Sequence, residues 1–133
     1  MITYENQLFT TIAEKLRTDF PGIYVSGELN LNPEQFPACY VEESDNYVLP
    51  SGRDQSLAEN YVVVTYEVNV FSNKQIGKKQ EAKAIMAVVD EIMDSLNFTR
   101  LALLPVNIDS STKYRLTARY TAVTDKDETY YRR

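Results

Sequence analysis

The 133-residue chain contains no histidine and no tryptophan, and a single cysteine. Without histidine there is no Ser–His or Cys–His nucleophile pair, no His-ligated zinc and no imidazole general base at neutral pH. Two-carboxylate and lysine chemistry survive that exclusion. Cys39 has no partner for an intrachain disulfide; flanked by Ala38 and Tyr40 in a predicted strand, it reads as a small core residue and not as a nucleophile. No apolar run approaches the ~20 residues of a membrane span, the longest, Ala84 to Val89, lying inside an amphipathic helix. The first residues lack a basic stretch followed by an apolar one, so no signal peptide is expected and synthesis is expected in the cytoplasm. A net charge of -5 disfavours a dedicated DNA- or RNA-binding module, because such modules neutralise phosphates with clustered Lys and Arg. It leaves room for an acidic-walled passage through which nucleic acid slides.

What is present is alternation. In Tyr61 to Phe71, Val62, Val64, Tyr66, Val68 and Val70 share one face, with Thr65, Glu67 and Asn69 on the other. In Lys113 to Ala122, Tyr114, Leu116, Ala118, Tyr120 and Ala122 oppose Arg115, Thr117, Arg119 and Thr121. Two long strands, each apolar on one side and polar on the other, predict a sheet that presents a surface. Between them, Ile85, Val88, Val89, Ile92 and Leu96 fall at helical period. Ser72 to Gln75 fits a capping box at the start of that helix, and Asn97 suits the left-handed residue at its end. Lys78 and Lys79 near its start and Asp90, Glu91 and Asp94 near its end run against the helix dipole, which leaves either solvent screening or a charged face for a partner.

Upstream, Leu8, Ile12, Leu16 and Phe20 form the stripe of a first helix, with Thr3 as N-cap and Pro21-Gly22 as its stop. Ile23 to Leu29 and Phe36 to Glu43 read as short strands. Leu103 to Ile108 and Lys113 to Val123 read as a hairpin turning at Asp109 to Thr112. Asp45 to Glu59 is a polar stretch with one apolar island, Tyr47-Val48-Leu49, and is long for a connection. It is either a surface loop or hairpin arm of this chain alone, or an arm ordered against a neighbouring subunit. The elements predict one α+β domain over residues 1–124: a mixed, mainly antiparallel sheet of four to five strands, two helices on one face, and the arm at 45–59. A polar tail follows at 125–133.

Recognisable chemistry is sparse. Glu42-Glu43-Ser44-Asp45 lacks the spacing and glycine of a calcium loop, Asp125 to Glu128 reads as a charged tail, and Lys78-Lys79 lacks a glycine-rich phosphate loop. No catalytic, cofactor-binding or metal-binding residue is assigned, and no enzymatic activity is expected. Tyrosine is over-used, with ten copies. Those in strands follow from β-propensity; Tyr47, Tyr130 and Tyr131, in the arm and tail, suit interface anchors.

The strand Tyr61–Phe71, the helix string Lys79-Gln-Glu-Ala-Lys-Ala-Ile-Met-Ala-Val-Val-Asp-Glu-Ile-Met93, the following Leu96-Asn-Phe-Thr-Arg100 and the closing Tyr114-Arg-Leu-Thr-Ala-Arg-Tyr-Thr-Ala122 together resemble the tail terminator (tail completion) proteins of long-tailed bacteriophages and prophages. The resemblance implies a non-enzymatic virion protein at the tail–neck junction, made in the bacterial host. It implies a ring, six-fold in the family, that caps the tail tube, ends elongation and offers the surface to which the head-closure or connector protein docks. DNA would pass through as cargo, and no cofactor or membrane would be involved. Tyr47, Val48, Leu49 and Arg53 in the arm, and Tyr130 and Tyr131 in the tail, are the positions at which contacts to neighbours or tube are expected. Glu67, Arg115 and Arg119 are candidates for an inter-subunit or lumen surface, the alternative being cross-strand ion pairs within one subunit. Two other functions fit the same pattern: a different neck component such as a head-closure or adaptor protein, and a small non-catalytic ligand-binding domain.

Overall fold

A computed structural model describes residues 1–49 and 60–133. Among the described residues the fold is α+β, with two helices and a mixed, mostly antiparallel sheet. The elements are α1 (Glu5–Asp19), β1 (Tyr24–Ser26), β2 (Ala38–Val48), β3 (Tyr61–Ser72), α2 (Lys78–Ser95), β4 (Thr99–Pro105), β5 (Tyr114–Asp125) and β6 (Tyr130–Tyr131). The sheet runs β1-β2-β3-β5-β4, with β6 also paired to β5; β1 and β2 are parallel and the other pairs antiparallel.

The two alternating strands form the centre. Val62, Val64, Tyr66, Val68 and Val70 of β3 and Leu116, Ala118, Tyr120 and Ala122 of β5 join Leu8, Ile12 and Leu16 of α1 and Ile85, Val89 and Met93 of α2 in one buried cluster. Both helices therefore cover the same face. The hydrophobic gain of burying these side chains outweighs the polar cost because the opposite strand face keeps its polar groups out of the core. Cys39 belongs to this core, and burial pushes its thiol up to about 12, which keeps it protonated and unreactive at neutral pH.

Several boundaries differ from the sequence reading. Among the described residues the sheet has six strands, not four or five. β1 is confined to Tyr24–Ser26, whereas β2 runs on to Val48 and takes in the first residues assigned to the arm. Residues 50–59 of the arm, including Arg53, lie outside the described residues. β4 spans Thr99–Pro105, four residues earlier at its start than Leu103. Thr3 does not cap α1; its hydroxyl donates to Glu43 Oε2 at 3.1 Å, and Tyr4 occupies the N-cap position. The capping box at Ser72 is not formed either. β3 continues through Ser72, and α2 begins after Gly77, whose φ of +90° turns the chain into the helix. Ser72 still reaches α2, its hydroxyl donating to Glu81 Oε1 at 2.7 Å.

The far end of α2 follows the expectation for Asn97, which has φ +69°. Phe98 N donates to Met93 O at 2.9 Å and Asn97 N to Asp94 O at 3.0 Å, the two bonds of a Schellman ending. Two of the acidic residues that oppose the dipole, Asp90 and Asp94, are answered by cations from elsewhere. Asp90 pairs with Arg100 at 3.2 Å and Asp94 with Arg132 at 3.1 Å. Arg132 also donates to Phe98 O at 2.8 Å and Asp94 O at 2.9 Å, so its charge sits where the C-terminal end of the dipole is most favourable to it.

Residues 125–133 are thus part of the fold. Asp125 Oδ1 accepts from Asp127 N and Thr129 N at 2.9 and 3.0 Å, forming the turn that returns β6 to β5. Asp125 Oδ2 accepts from the Tyr131 hydroxyl at 2.8 Å, and that bond holds the carboxyl below its usual range.

Candidate interaction face

On the sheet face away from the helices, side chains alternate out of β2, β3, β5 and β4. Cross-strand register places Glu67 directly opposite Arg119, and Arg119 opposite Ala102. Near the β1 end, Tyr40 and Phe71 form a small second cluster with Ala38, packed by Leu29 and Phe36. Beyond it the middle of the face is polar, with Thr65, Glu67, Asn69, Arg115, Thr117, Arg119 and Thr121, and Val63 and Val123 lie toward the other end.

Its best-ordered feature centres on Asn69, which is buried. Asn69 Oδ1 accepts from Arg115 Nε at 3.0 Å, from Arg115 Nη2 at 2.9 Å and from the Thr117 hydroxyl at 2.6 Å. The Arg115 guanidinium also lies 5.5 Å from the Phe71 ring centre, within cation–π range. Arg115 is therefore held within its own chain by a neutral amide and a ring. Glu67 and Arg119 are different. They face one another in register, yet form no ion pair among the described residues. Together with Ala102, Leu104, Val106, Arg115 and Thr117 they line a hollow of about 330 Å³.

The other candidates divide between the two faces. Tyr47 pairs with Val63 and Tyr131 with Val123, which puts both on the open face. Tyr47 accepts a hydrogen bond from Arg133 Nη1 at 3.0 Å, and Tyr131 lies edge-on to Tyr61 at 6.2 Å. Tyr47, Tyr61 and Tyr131 are each 40–44% exposed, so they add an aromatic, arginine-flanked patch at this end of the sheet. Val48 and Tyr130 instead pack against the helix-side core, Tyr130 with its ring 5.0 Å from Phe98. Leu49 N continues the ladder by donating to Tyr61 O at 3.1 Å.

Sequence reasoning did not single out Asn69, Thr117, Tyr61 or Arg133. Asn69 carried a signal, being an amide between two buried valines on the polar side of a central strand.

The acidic run Glu42–Asp45 serves the fold. Glu43 N donates to Glu5 Oε2 at 2.8 Å, and the Glu43 carboxylate accepts from Thr3, from Asn46 Nδ2 at 3.1 Å and from the Tyr66 hydroxyl at 3.4 Å. Among the described residues no group of three or more Cys, Asp or Glu is placed to hold a metal ion. Partial burial raises the Glu43 carboxyl above its ordinary 4.5, despite these donors. A raised folded value means that protonation favours the fold. Its stabilising contribution is present below pH 4.5 and is lost as pH rises through the folded value. Glu43→Gln keeps an acceptor for Asn46 and Tyr66. In urea titrations its stability relative to wild type should stay level below pH 4.5 and increase from there toward neutrality. A relative stability that does not change with pH would refute this assignment.

The chain matches no model of a known protein family and no curated protein sequence. Among the described residues no helix is long and apolar enough to cross a membrane.

Proposed function

We propose that this protein is a tail terminator: a structural virion protein that caps the tail tube as a ring, ends tail elongation and forms the head–tail joining surface. The observation that carries the reading is the open sheet face, where Glu67 and Arg119 stand opposite one another without an ion pair among the described residues. Cross-strand opposite charges ordinarily pair. Charges held apart on a sheet face that neither helix covers are available to complementary charges on a neighbour. A ring requires a heterologous contact, in which one surface of a subunit meets a different surface of the next. The open face and the tyrosine patch at its end supply material for one side of such a contact. The strand and helix strings that resemble the terminator family support the same reading.

The test is disruption of the gene in the phage or prophage that carries it, followed by electron microscopy of the particles. Tails of irregular or excessive length, with heads left unjoined, are expected. Normal-length tails joined to heads would refute the proposal.

A further inference from the structure

We infer that the groove between α2 and β4 is a docking site for an extended segment of another protein, one that carries a carboxylate beside an apolar side chain and adds as a short strand to the free edge of β4. This inference rests on the fold and not on the terminator reading.

β4 is the last strand on its side of the sheet. Its backbone pairs with β5, and among the described residues its outward groups make no other backbone hydrogen bond. Proteins commonly blunt such an edge with charge. This one instead exposes Leu101 (59%), Leu103 (43%) and Leu104 (48%), with Arg100 as its one charged residue. Leu103 pairs with Ala118 and faces the helix side, whereas Leu104 pairs with Thr117 and faces the open side. A strand laid along this edge would bury apolar surface on both faces.

On the helix side Leu103 forms part of a groove of about 540 Å³, with Met86 and Leu116 also lining it. That is the size of a ligand or side-chain site. Lys79, Lys83 and Arg100 also line it. The one acidic lining residue, Asp90, is already engaged by Arg100 and by the Tyr120 hydroxyl at 3.1 Å. Lys79 and Lys83 are exposed and make no ion pair among the described residues. In a chain of net charge -5, the groove is a local excess of positive charge. An acidic occupant follows from charge complementarity, and an apolar one from the lining.

Alternate residues of an added strand point to one face at a spacing of about 7 Å. One apolar side chain would enter beside Leu103, and a carboxylate two residues along would reach the lysines. Two features restrict the pairing. β4 has a register shift between Arg100 and Ala102, and Pro105 offers no N–H. The regular edge between them is short, which discourages indiscriminate strand addition. A second copy is disfavoured as the occupant: the opposite edge, β1, is Tyr-Val-Ser and brings no carboxylate.

The probe is a labelled, capped heptapeptide, Thr-Leu-Thr-Glu-Thr-Val-Thr, titrated by fluorescence anisotropy. Saturable binding is expected. It should weaken by at least about tenfold, the scale of one lost charge-assisted contact, when lysine replaces the peptide glutamate or when the protein carries Lys79→Glu and Lys83→Glu. Both lysines are on the exposed side of α2, so this variant should fold normally. The same peptide N-methylated at alternate residues should also lose binding, since it cannot extend the sheet. Equal binding of the glutamate and lysine peptides would overturn the proposal. So would undiminished binding of the N-methylated peptide, or self-association of the protein alone that Leu103→Glu abolishes, since the last would make a second copy the occupant.

Discussion

Phe98→Ala should destabilise the protein by about 3–5 kcal/mol, the range for removing a buried aromatic side chain. Phe98 is 2% exposed, and three elements meet on it. Its ring stands edge-on to Tyr66 of β3 at 5.7 Å and tilted against Tyr130 of β6 at 5.0 Å. Its backbone closes the Schellman ending of α2 by bonding to Met93, which belongs to the same core cluster. Truncation therefore leaves a cavity under the sheet and removes the anchor that positions β6. Small domains have about 5–15 kcal/mol of total stability, so the variant should show a large drop in its urea midpoint. Tyr130, whose hydroxyl is pushed up to about 12 by burial beside the core, should become easier to ionise. A loss below about 1.5 kcal/mol would mean that the joint repacks.

The second large effect is at Asn69. Asn69→Leu preserves shape but removes the acceptor for three hydrogen bonds. The Thr117 hydroxyl is left buried and unpaired, and the Arg115 guanidinium keeps its ring contact but loses its oxygen. An orphaned buried donor costs about 1–3 kcal/mol. Arg115 is half-buried and recovers part of its loss from water, so the expected total is about 2–4 kcal/mol. Asn69→Asp should be far milder, because a carboxylate accepts the same bonds and adds charge assistance from Arg115. Adding Thr117→Val to Asn69→Leu should recover the Thr117 share of that loss, since it removes the orphaned hydroxyl. Denaturant titration of the four proteins decides it. An Asp variant as unstable as the Leu variant would show that the neutral amide, and not merely its oxygen, is required.

These two positions also mark what the sequence could and could not convey. β3 and β5 were legible because each turns apolar side chains to the helices and mostly polar ones to the other face, which writes a period of two into the residues. β4 was misplaced because it is an edge strand exposed on both sides; Leu101, Leu103 and Leu104 have no face to alternate between. β6 has only two residues, too few for any period, and is made by the Asp125 turn and by pairing with Val123 and Thr124. Ser72 to Gln75 has the residues of a capping box, but the strand uses Ser72 first, and Glu81 becomes its partner. At the candidate face, alternation placed Glu67, Arg115 and Arg119 on one side correctly. Their partners were not legible. Charge pattern suggests Glu67 for an arginine, whereas Arg115 is held by an uncharged amide one strand away.

The position of Arg132 bears on the order in which the chain can acquire its structure. Arg132, which closes the end of α2, is synthesised well after it, and the Tyr4 hydroxyl donates to Lys126 O at 2.6 Å across 122 positions. Contacts so distant in sequence must wait for loop closure and form slowly. A chain emerging at about 5–20 residues per second would carry α1 without its C-terminal pin for roughly ten seconds. Lys126 and Arg132, made long after both helices, are thus among the residues that fasten the first helix and finish the second. Until they arrive, the amphipathic α1 lacks that fastening, and the nascent domain is at its most exposed to association with other chains.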